Sequence, residues 1–334
     1  MATIHDVAKL AGVAPITVSR VINNSGYINN KTREKVEAAI AKLGYVPNVL
    51  ARSLKSKRTN TLALVVTDIT NPFFTIIARG VEDTAGNAGF NVIFCNTDEN
   101  QEKEDNYVQV ILQKQVDGVL LVPVGSNTKS LQIIRDQGTP LIILDRRLET
   151  NDVDVVRGDS IGGAKQLTQH LIDLGHQRIA LITGPHNVST AEDRLIGFKQ
   201  TMEANGLRDI YQSHYGGFTQ TSGYSLTKEI FSKDPKPTAI FAANNLIAIG
   251  VLRALKELGF RVPEDVALVS FDDIPENLTM FPFMTAVSQP SYEMGKTATE
   301  LLISRIKNES APGFQEIIFP VEFIKRESSG GPRG

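Results

Sequence analysis

The chain has no tryptophan, one cysteine and no apolar run long enough to span a bilayer. A lone Cys95 excludes an internal disulfide and fits a reducing compartment. Within the apolar run Asn91–Cys95 it reads as a small core residue and not as a nucleophile. The longest apolar runs, such as Gly118–Val124 and Leu141–Leu144, are of strand length. Residues 1–10 carry charges and helix signals instead of an apolar export signal, so a cytoplasmic protein without membrane contact is expected. Sequences for a Walker phosphate loop, a dinucleotide Gly-x-Gly-x-x-Gly turn or a His-Glu-x-x-His zinc site are also missing. Gly162-Gly163-Ala164-Lys165 lacks the length of a phosphate loop and reads as a helix start. His5, His170, His176, His186 and His214 show no metal spacing. Catalysis, a metal and a cofactor are therefore not expected.

What is present points to two or three domains: 334 residues, 41% hydrophobic and 22% charged, enough to bury a core. The net charge of -2 hides an asymmetry. Residues 1–60 hold ten Lys or Arg against three acids, a surplus of seven positive charges, which leaves the remaining 274 residues at -9. A basic head on an acidic body suggests that the head meets phosphates. A merely solvated basic surface is the bland alternative.

The head has its own pattern. Thr3 and Asp6 form a capping-box-like start, and Ile4, Val7, Ala8 and Ala11 fall on one helical face. Gly12 marks a tight turn, and Pro15 opens a second helix without losing a hydrogen bond. Its apolar residues are Ile16, Val18, Val21 and Ile22. A third amphipathic helix, roughly Lys31–Leu43, lays Val36, Ala39, Ile40 and Leu43 over the others. Two short helices around a glycine turn make a helix-turn-helix, whose second helix enters the major groove. Pro15, Ile16 and Arg20 are then the expected base readers, Arg20 able to grip guanine bidentately. Thr17, Ser19, Asn23 and Lys31 are expected on phosphates, which set register. A three-helix packing module without DNA is the lesser alternative.

From Thr3-Ile-His-Asp-Val-Ala8 through Thr17-Val-Ser-Arg-Val-Ile-Asn23 to Gly44-Tyr-Val-Pro-Asn48 and Ala51-Arg-Ser-Leu-Lys55, the chain resembles the lactose/galactose repressor family, to about residue 326. The resemblance implies a small all-α helix-turn-helix headpiece and an α/β, periplasmic-binding-protein-like sensor of two doubly wound lobes. Implied boundaries are 1–46 for the headpiece, 47–60 for a hinge helix and linker, 61–160 with 290–320 for one lobe, and 161–289 with 321–330 for the other. It adds Thr3, Tyr45, Asn48, Ala51, Leu54 and Lys55 to the DNA-binding set, with Leu54 as the wedge that unstacks the central base step. It implies a homodimer, or a higher oligomer, on pseudo-palindromic operator DNA in the bacterial nucleoid. Many relatives carry Ser where this chain has Ala14 and a polar residue where it has Pro15, so the half-site sequence does not transfer.

Beyond Thr61, short β-rich runs alternate with helical patterns. Expected strands are Leu62–Thr67, Asn91–Cys95, Gly118–Val122, Leu141–Leu144, Arg178–Thr183, Ala239–Ala242 and Val266–Phe271. Helices fit between them at Thr75–Ala88, Glu102–Gln113, Gly163–Leu174 and Leu246–Leu258. That alternation reads as parallel sheets covered on both faces, in two lobes. Ligands in such folds lie beyond the carboxyl ends of the strands. There the chain places Asp68-Ile-Thr-Asn71-Pro-Phe73-Phe74, Asp145-Arg146, Arg194, Phe218, Asn244, Asp272 and Gln289. Carboxylates accept hydroxyl protons, Arg and Asn donate, and flat rings cover the C–H face of a sugar. Singly, each residue has a mundane reading: core aromatics, a surface Asp145–Arg146 pair, a helix cap at Asp272. Their recurrence at strand ends favours a pocket.

Asn71, Phe73, Phe74, Asp145, Arg146, Arg194, Phe218, Asn244, Asp272 and Gln289 are also similar, position by position, to the ligand set of the ribose-binding type of periplasmic protein. This resemblance implies ribose or a related small sugar as effector. Val122-Pro123 replaces a polar ligand expected after the third strand, and Asn245 replaces an aspartate common in relatives, with a loop-shaping role. Within the family two other effector modes remain open. A purine co-repressor is disfavoured, because Val188 and Arg146 stand where purine repressors carry arginine and tryptophan. Control by a phosphorylated carrier protein, as in carbon catabolite regulators, is the runner-up.

Overall fold

A computed structural model describes residues 2–46, 58–127, 129–150, 152–208, 210–274, 282–309 and 313–331. The chain divides into two compact units, Met1–Thr59 and Asn60–Gly334. The expected hinge helix, with Asn48, Ala51, Leu54 and Lys55, lies outside the described residues.

The first unit is a three-helix cluster: α1 (Ile4–Ala11), α2 (Pro15–Ile22) and α3 (Asn30–Leu43). The capping box at α1 is complete, with the Thr3 hydroxyl accepting from the Asp6 N–H and the Asp6 carboxylate from the Thr3 N–H at 2.8 Å. Gly12 ends α1 at φ 67°, a left-handed conformation that favours glycine. Pro15 opens α2, while Ala14 at its N-cap supplies no side-chain acceptor. Val7, Ala8, Ala11, Val18, Val21, Val36 and Ala39 make the buried mini-core, and the body of Tyr45 packs against it. Leu43, expected as part of the lid, is instead exposed at the last turn of α3.

The second unit holds two six-stranded sheets. The first is built from β1 (Thr61–Val66), β2 (Asn91–Asn96), β3 (Gly118–Leu121), β4 (Leu141–Leu144), β5 (Asp154–Gly158) and β11 (Glu316–Phe319), in the order β11-β5-β4-β3-β1-β2. All of its pairings are parallel. The second is built from β6 (Ile179–Thr183), β7 (Gln212–Tyr215), β8 (Ala239–Ala242), β9 (Ala267–Phe271), β10 (Thr285–Ser288) and β12 (Glu322–Ile324), in the order β12-β10-β9-β8-β6-β7. Only β12 runs antiparallel to its neighbour. The covering helices are α4 (Pro72–Asn87), α5 (Gln101–Gln113), α6 (Lys129–Asp136), α7 (Ser160–Asp173), α8 (Ser189–Ala204), α9 (Gln220–Phe231), α10 (Asn245–Glu257) and α11 (Ser291–Lys307). The chain crosses between the sheets after β5, after β10 and between β11 and β12. Because of the second crossover, α11 buries Met294, Ala298 and Leu302 against Leu62, Leu120 and Ile142 of the first sheet.

The seven expected strands are present with shifts of a residue at their ends. The other five, β5, β7, β10, β11 and β12, escaped the reading because polar residues interrupt their apolar runs. Asp154 shows why this can mislead: it is buried in β5, where the Arg305 guanidinium donates to it at 2.7 and 2.8 Å. Two helix starts differ in a way that matters. α4 begins at Pro72 and not at Thr75, so Phe73 and Phe74 lie in its first turn. α7 begins at Ser160, capped by Asp159, which accepts from the Gly162 N–H at 2.8 Å. Gly163 is there for packing: a Cβ would stand 2.7 Å from the Phe271 ring.

Candidate functional site

Between the two sheets lies a cavity of about 310 Å³, at the low end of the range for small-molecule sites. Its walls come from segments just beyond strand ends, as in other open α/β sheets. Nine of the ten expected ligand residues line it: Asn71, Phe73, Phe74, Asp145, Arg146, Arg194, Phe218, Asn244 and Asp272. The tenth, Gln289, stands behind Asp272 and donates to its Oδ1 at 2.7 Å.

The aromatic walls have local causes. Asn71 caps α4, accepting from the Phe73 N–H at 3.0 Å, and this fixes the turn that carries both rings. Phe73 and Phe74 meet edge to face, 5.1 Å between centroids at 68°. Opposite them Phe218 lies over Gly184, where a Cβ would sit 2.3 Å from the ring. Asn244 caps α10, accepting from the Ile247 N–H at 2.8 Å, and its amide donates to the Phe218 carbonyl at 3.4 Å.

The charged groups form a buried cluster. Asp145 and Asp272 sit just after β4 and β9 in left-handed conformations, φ 64° and 62°. Both are buried, and burial pushes both carboxyls upward, that of Asp145 to about 6. Arg194 and Arg146 oppose that shift at Asp145; Arg194 and the Gln289 amide oppose it at Asp272. Arg194 rises from α8, stacks its guanidinium 3.8 Å above the Phe271 ring and donates to the Ala243 carbonyl at 2.5 Å. Its Nη2 stands 3.7 Å from Asp272, while burial holds its pKa below the ordinary value.

Arg146 lines the cavity as expected, and its terminal nitrogens are held by a neighbouring carboxylate. It is not half of a surface pair with Asp145: both residues are buried, and its partner is Glu99. Nη1 donates to Glu99 at 2.8 Å, to the Pro123 carbonyl at 2.8 Å and to the Val124 carbonyl at 2.9 Å, while Nη2 holds the second Glu99 oxygen. Where a polar ligand was expected after β3, backbone carbonyls therefore anchor an arginine. Burial works against its charge, but Glu99 leaves its pKa raised overall.

Asp68 and Thr70 line the cavity with the segment already singled out, whereas sequence reasoning missed Thr67, Asp98, Glu99, Thr190 and Thr219, which also line it. Asp98 and Glu99 follow β2 directly, so the strand-end rule applied there would have found them. Asn245, read as a loop-shaping residue, donates to Asn71 Oδ1 at 3.1 Å and so joins the two lobes. A second tie between the lobes pairs Arg147 with the buried Asp193 at 2.9 Å, and the Arg147 N–H donates to Ser189 at 2.9 Å.

In the first unit the α2 surface presents Ile16 and Arg20 exposed, with Pro15, Thr17 and Ser19 half-buried beside them. Asn23 donates to the Ser19 hydroxyl at 3.3 Å. Thr3 is exposed at the start of α1, and Lys31 is exposed in the first turn of α3, which Asn29 caps by accepting from the Thr32 N–H at 2.8 Å.

Comparison with known proteins matches both units. Residues 3–48 fit the family described as bacterial regulatory proteins, lacI family, and residues 59–327 fit periplasmic binding proteins and the sugar binding domain of the LacI family. The ribose operon repressor of Halalkalibacterium halodurans is 38% identical over 331 residues, 99% of this chain and 98% of that one. The transcriptional repressor PurR of Photobacterium profundum is 35% identical over 314 residues, 93% of each chain. Among solved structures, a LacI family regulator from Enterococcus faecium with bound ribose is 32% identical, with a TM-score of 0.73 over 82% of this chain and 100% of that one. The lac repressor dimer bound to operator and the anti-inducer ONPF is 28% identical, with a TM-score of 0.86 over 98% of this chain and 99% of that one. With models matched along nearly its whole length, the chain belongs to the LacI family of bacterial regulatory proteins.

Proposed function

We propose that the chain is a cytoplasmic, homodimeric repressor of a sugar-utilisation operon, released from its operator by ribose or a similar small sugar held between the lobes. The observation that carries this reading is the cavity itself. Three phenylalanines face a buried set of two carboxylates and two guanidinium groups, an arrangement suited to a flat, hydroxyl-rich neutral molecule. The ribose repressor and the ribose-bound regulator among its relatives agree with it.

A sugar hydroxyl set would bond Asp145, Arg194, Asn244 and Asp272 while its C–H faces meet Phe73, Phe74 and Phe218. Asn71, Asn245, Arg147 and Asp193 hold the lobes together at the cavity's edges. To switch an operon, sugar must favour the releasing conformation by roughly 1–3 kcal/mol per coupled site. On the DNA side, two copies of α2 would read half-sites of a pseudo-palindrome, with Arg20 on a base and Lys31 on phosphate. No catalytic step is assigned to any of these residues.

The purine co-repressor reading has PurR among its relatives in its favour. Against it, Val188 is buried and apolar, and Arg146 is locked by Glu99, which leaves the cavity without the arginine and tryptophan that a nucleobase would use. Control by a phosphorylated carrier protein is the remaining alternative. Calorimetric titration of the whole protein with ribose, other pentoses, hexoses and nucleobases separates the three, with operator gel shifts run alongside. Heat with a pentose and loss of the shifted band are expected. Heat with a nucleobase alone, or with no small molecule, overturns the reading.

A further inference from the structure

Glu99 belongs to no expected ligand set, yet it occupies the cavity wall and claims both terminal nitrogens of Arg146. The remaining bonds of those nitrogens go to the Pro123 and Val124 carbonyls. Arg194 donates to the Ala243 carbonyl, and Asp272 stands 3.7 Å from its Nη2 and opposes its charge. The Nε atoms of both arginines are buried without a partner and have no surface to offer a ligand. The two guanidinium groups thus enter the cavity already neutralised.

The rest of the wall is acidic. Five carboxylates, Asp68, Asp98, Glu99, Asp145 and Asp272, face two guanidinium groups. Lys103, outside the cavity, pairs with Asp98, and the wall then keeps a surplus of two negative charges when all groups are ionised. Helix N-termini, the other common phosphate holders, are blocked at two points: Asn71 caps α4 and Asn244 caps α10 with their own oxygens. α8, which contributes Thr190, starts without a side-chain cap but carries Glu192 in its first turn.

We propose that Glu99 is a specificity-determining residue: by neutralising Arg146 it restricts the effector to uncharged sugars and excludes their phosphate monoesters. This rests on the sugar-binding reading above and sharpens it. It also places the regulator in a reaction sequence. The sugar is sensed before phosphoryl transfer. A kinase-type reaction that moves the terminal phosphoryl of ATP to a sugar hydroxyl, giving ADP and a phosphate monoester, takes the effector out of the cavity's range and ends the signal.

The test titrates the full-length protein with ribose and with ribose 5-phosphate at pH 7.5 and fixed ionic strength. The phosphate ester is expected to bind about 100-fold more weakly, the scale of one uncompensated like charge about 6 Å away at an effective dielectric of about 20. Affinities within tenfold of each other overturn the proposal. Binding of neither compound overturns the parent sugar reading instead, so the two failures are distinct. Glu99→Gln leaves Arg146 with its full charge and should cut the discrimination at least tenfold through a gain for ribose 5-phosphate. Glu99→Asp, which keeps the charge, should retain it, and thermal melts report the folding of both variants. Unchanged discrimination in folded Glu99→Gln removes Glu99 from the role.

Discussion

The Gln289 amide donates to the Asp272 carboxylate at 2.7 Å, from the residue that follows β10 and precedes the crossover into α11. It orients the buried carboxylate from behind and offsets part of the cost of its burial. Gln289→Leu removes the donor and leaves that carboxylate short of a partner. Sugar affinity should fall by about tenfold to 100-fold, the scale of a lost hydrogen bond to a charged group of roughly 1.5–3 kcal/mol, with operator binding unchanged. Calorimetry and gel shifts decide it, and an unchanged sugar affinity would show that Asp272 holds its place unaided.

Burial raises the Asp145 carboxyl from 3.8 to about 6. The folded chain therefore takes up a proton, between those two values, that the unfolded chain does not. The stability from this group is full below the lower value and is lost as pH rises through the upper one. Sugar binding is expected to have the opposite sign, because in the proposed pocket a hydroxyl would donate to the ionised carboxylate. Affinity should be steady above pH 7 and fall about tenfold by pH 5, where roughly one-tenth of the group is ionised. Asp145→Asn should remove that slope and the sugar response. It should also stabilise the sugar-free protein at pH 7 by on the order of 1–3 kcal/mol, as read from chemical denaturation. A wild-type affinity that stays flat from pH 8 to pH 5 would count against an ionised Asp145 as the acceptor.

Gly184 is where backbone makes room for a ring that lines the cavity: a Cβ there would stand 2.3 Å from Phe218. Gly184→Ala must push the ring toward the cavity or away from its Asn244-anchored carbonyl. Sugar affinity should drop severalfold, and the whole protein should lose about 1–3 kcal/mol, the usual cost of overpacking. Equal sugar binding in the variant would mean that Phe218 adds nothing to recognition.

Much of this was legible in the sequence, for a physical reason. Apolar strands buried on both faces announce themselves as continuous runs, and ligand residues of such folds cluster at strand ends, so nine of the ten residues named in advance line the cavity. What stayed hidden depended on partners distant in sequence. Asp154 reads as a strand breaker until Arg305 lies beside it. Arg146 looks like a free ligand until Glu99, which is 47 residues away, closes on it. Asn245 and Asn71 are 174 residues apart and join the lobes through one bond that no local pattern encodes.

On the proposed DNA-facing surface, base reading is expected to be separate from phosphate holding. Arg20 is exposed on α2, and Lys31 is exposed in the first turn of α3. Arg20→Ala should cost roughly 1–3 kcal/mol of operator affinity and much less on random DNA, because a bidentate guanine contact carries sequence information. Lys31→Ala should weaken binding to operator and random DNA alike and make the salt dependence shallower by about one counterion. Fluorescence anisotropy across a salt series, with both DNAs and with sugar titrations as a control on the other unit, measures all four quantities. Equal losses on both DNAs for Arg20→Ala would move Arg20 to the phosphate set and leave Pro15 and Ile16 as the residues that choose the half-site.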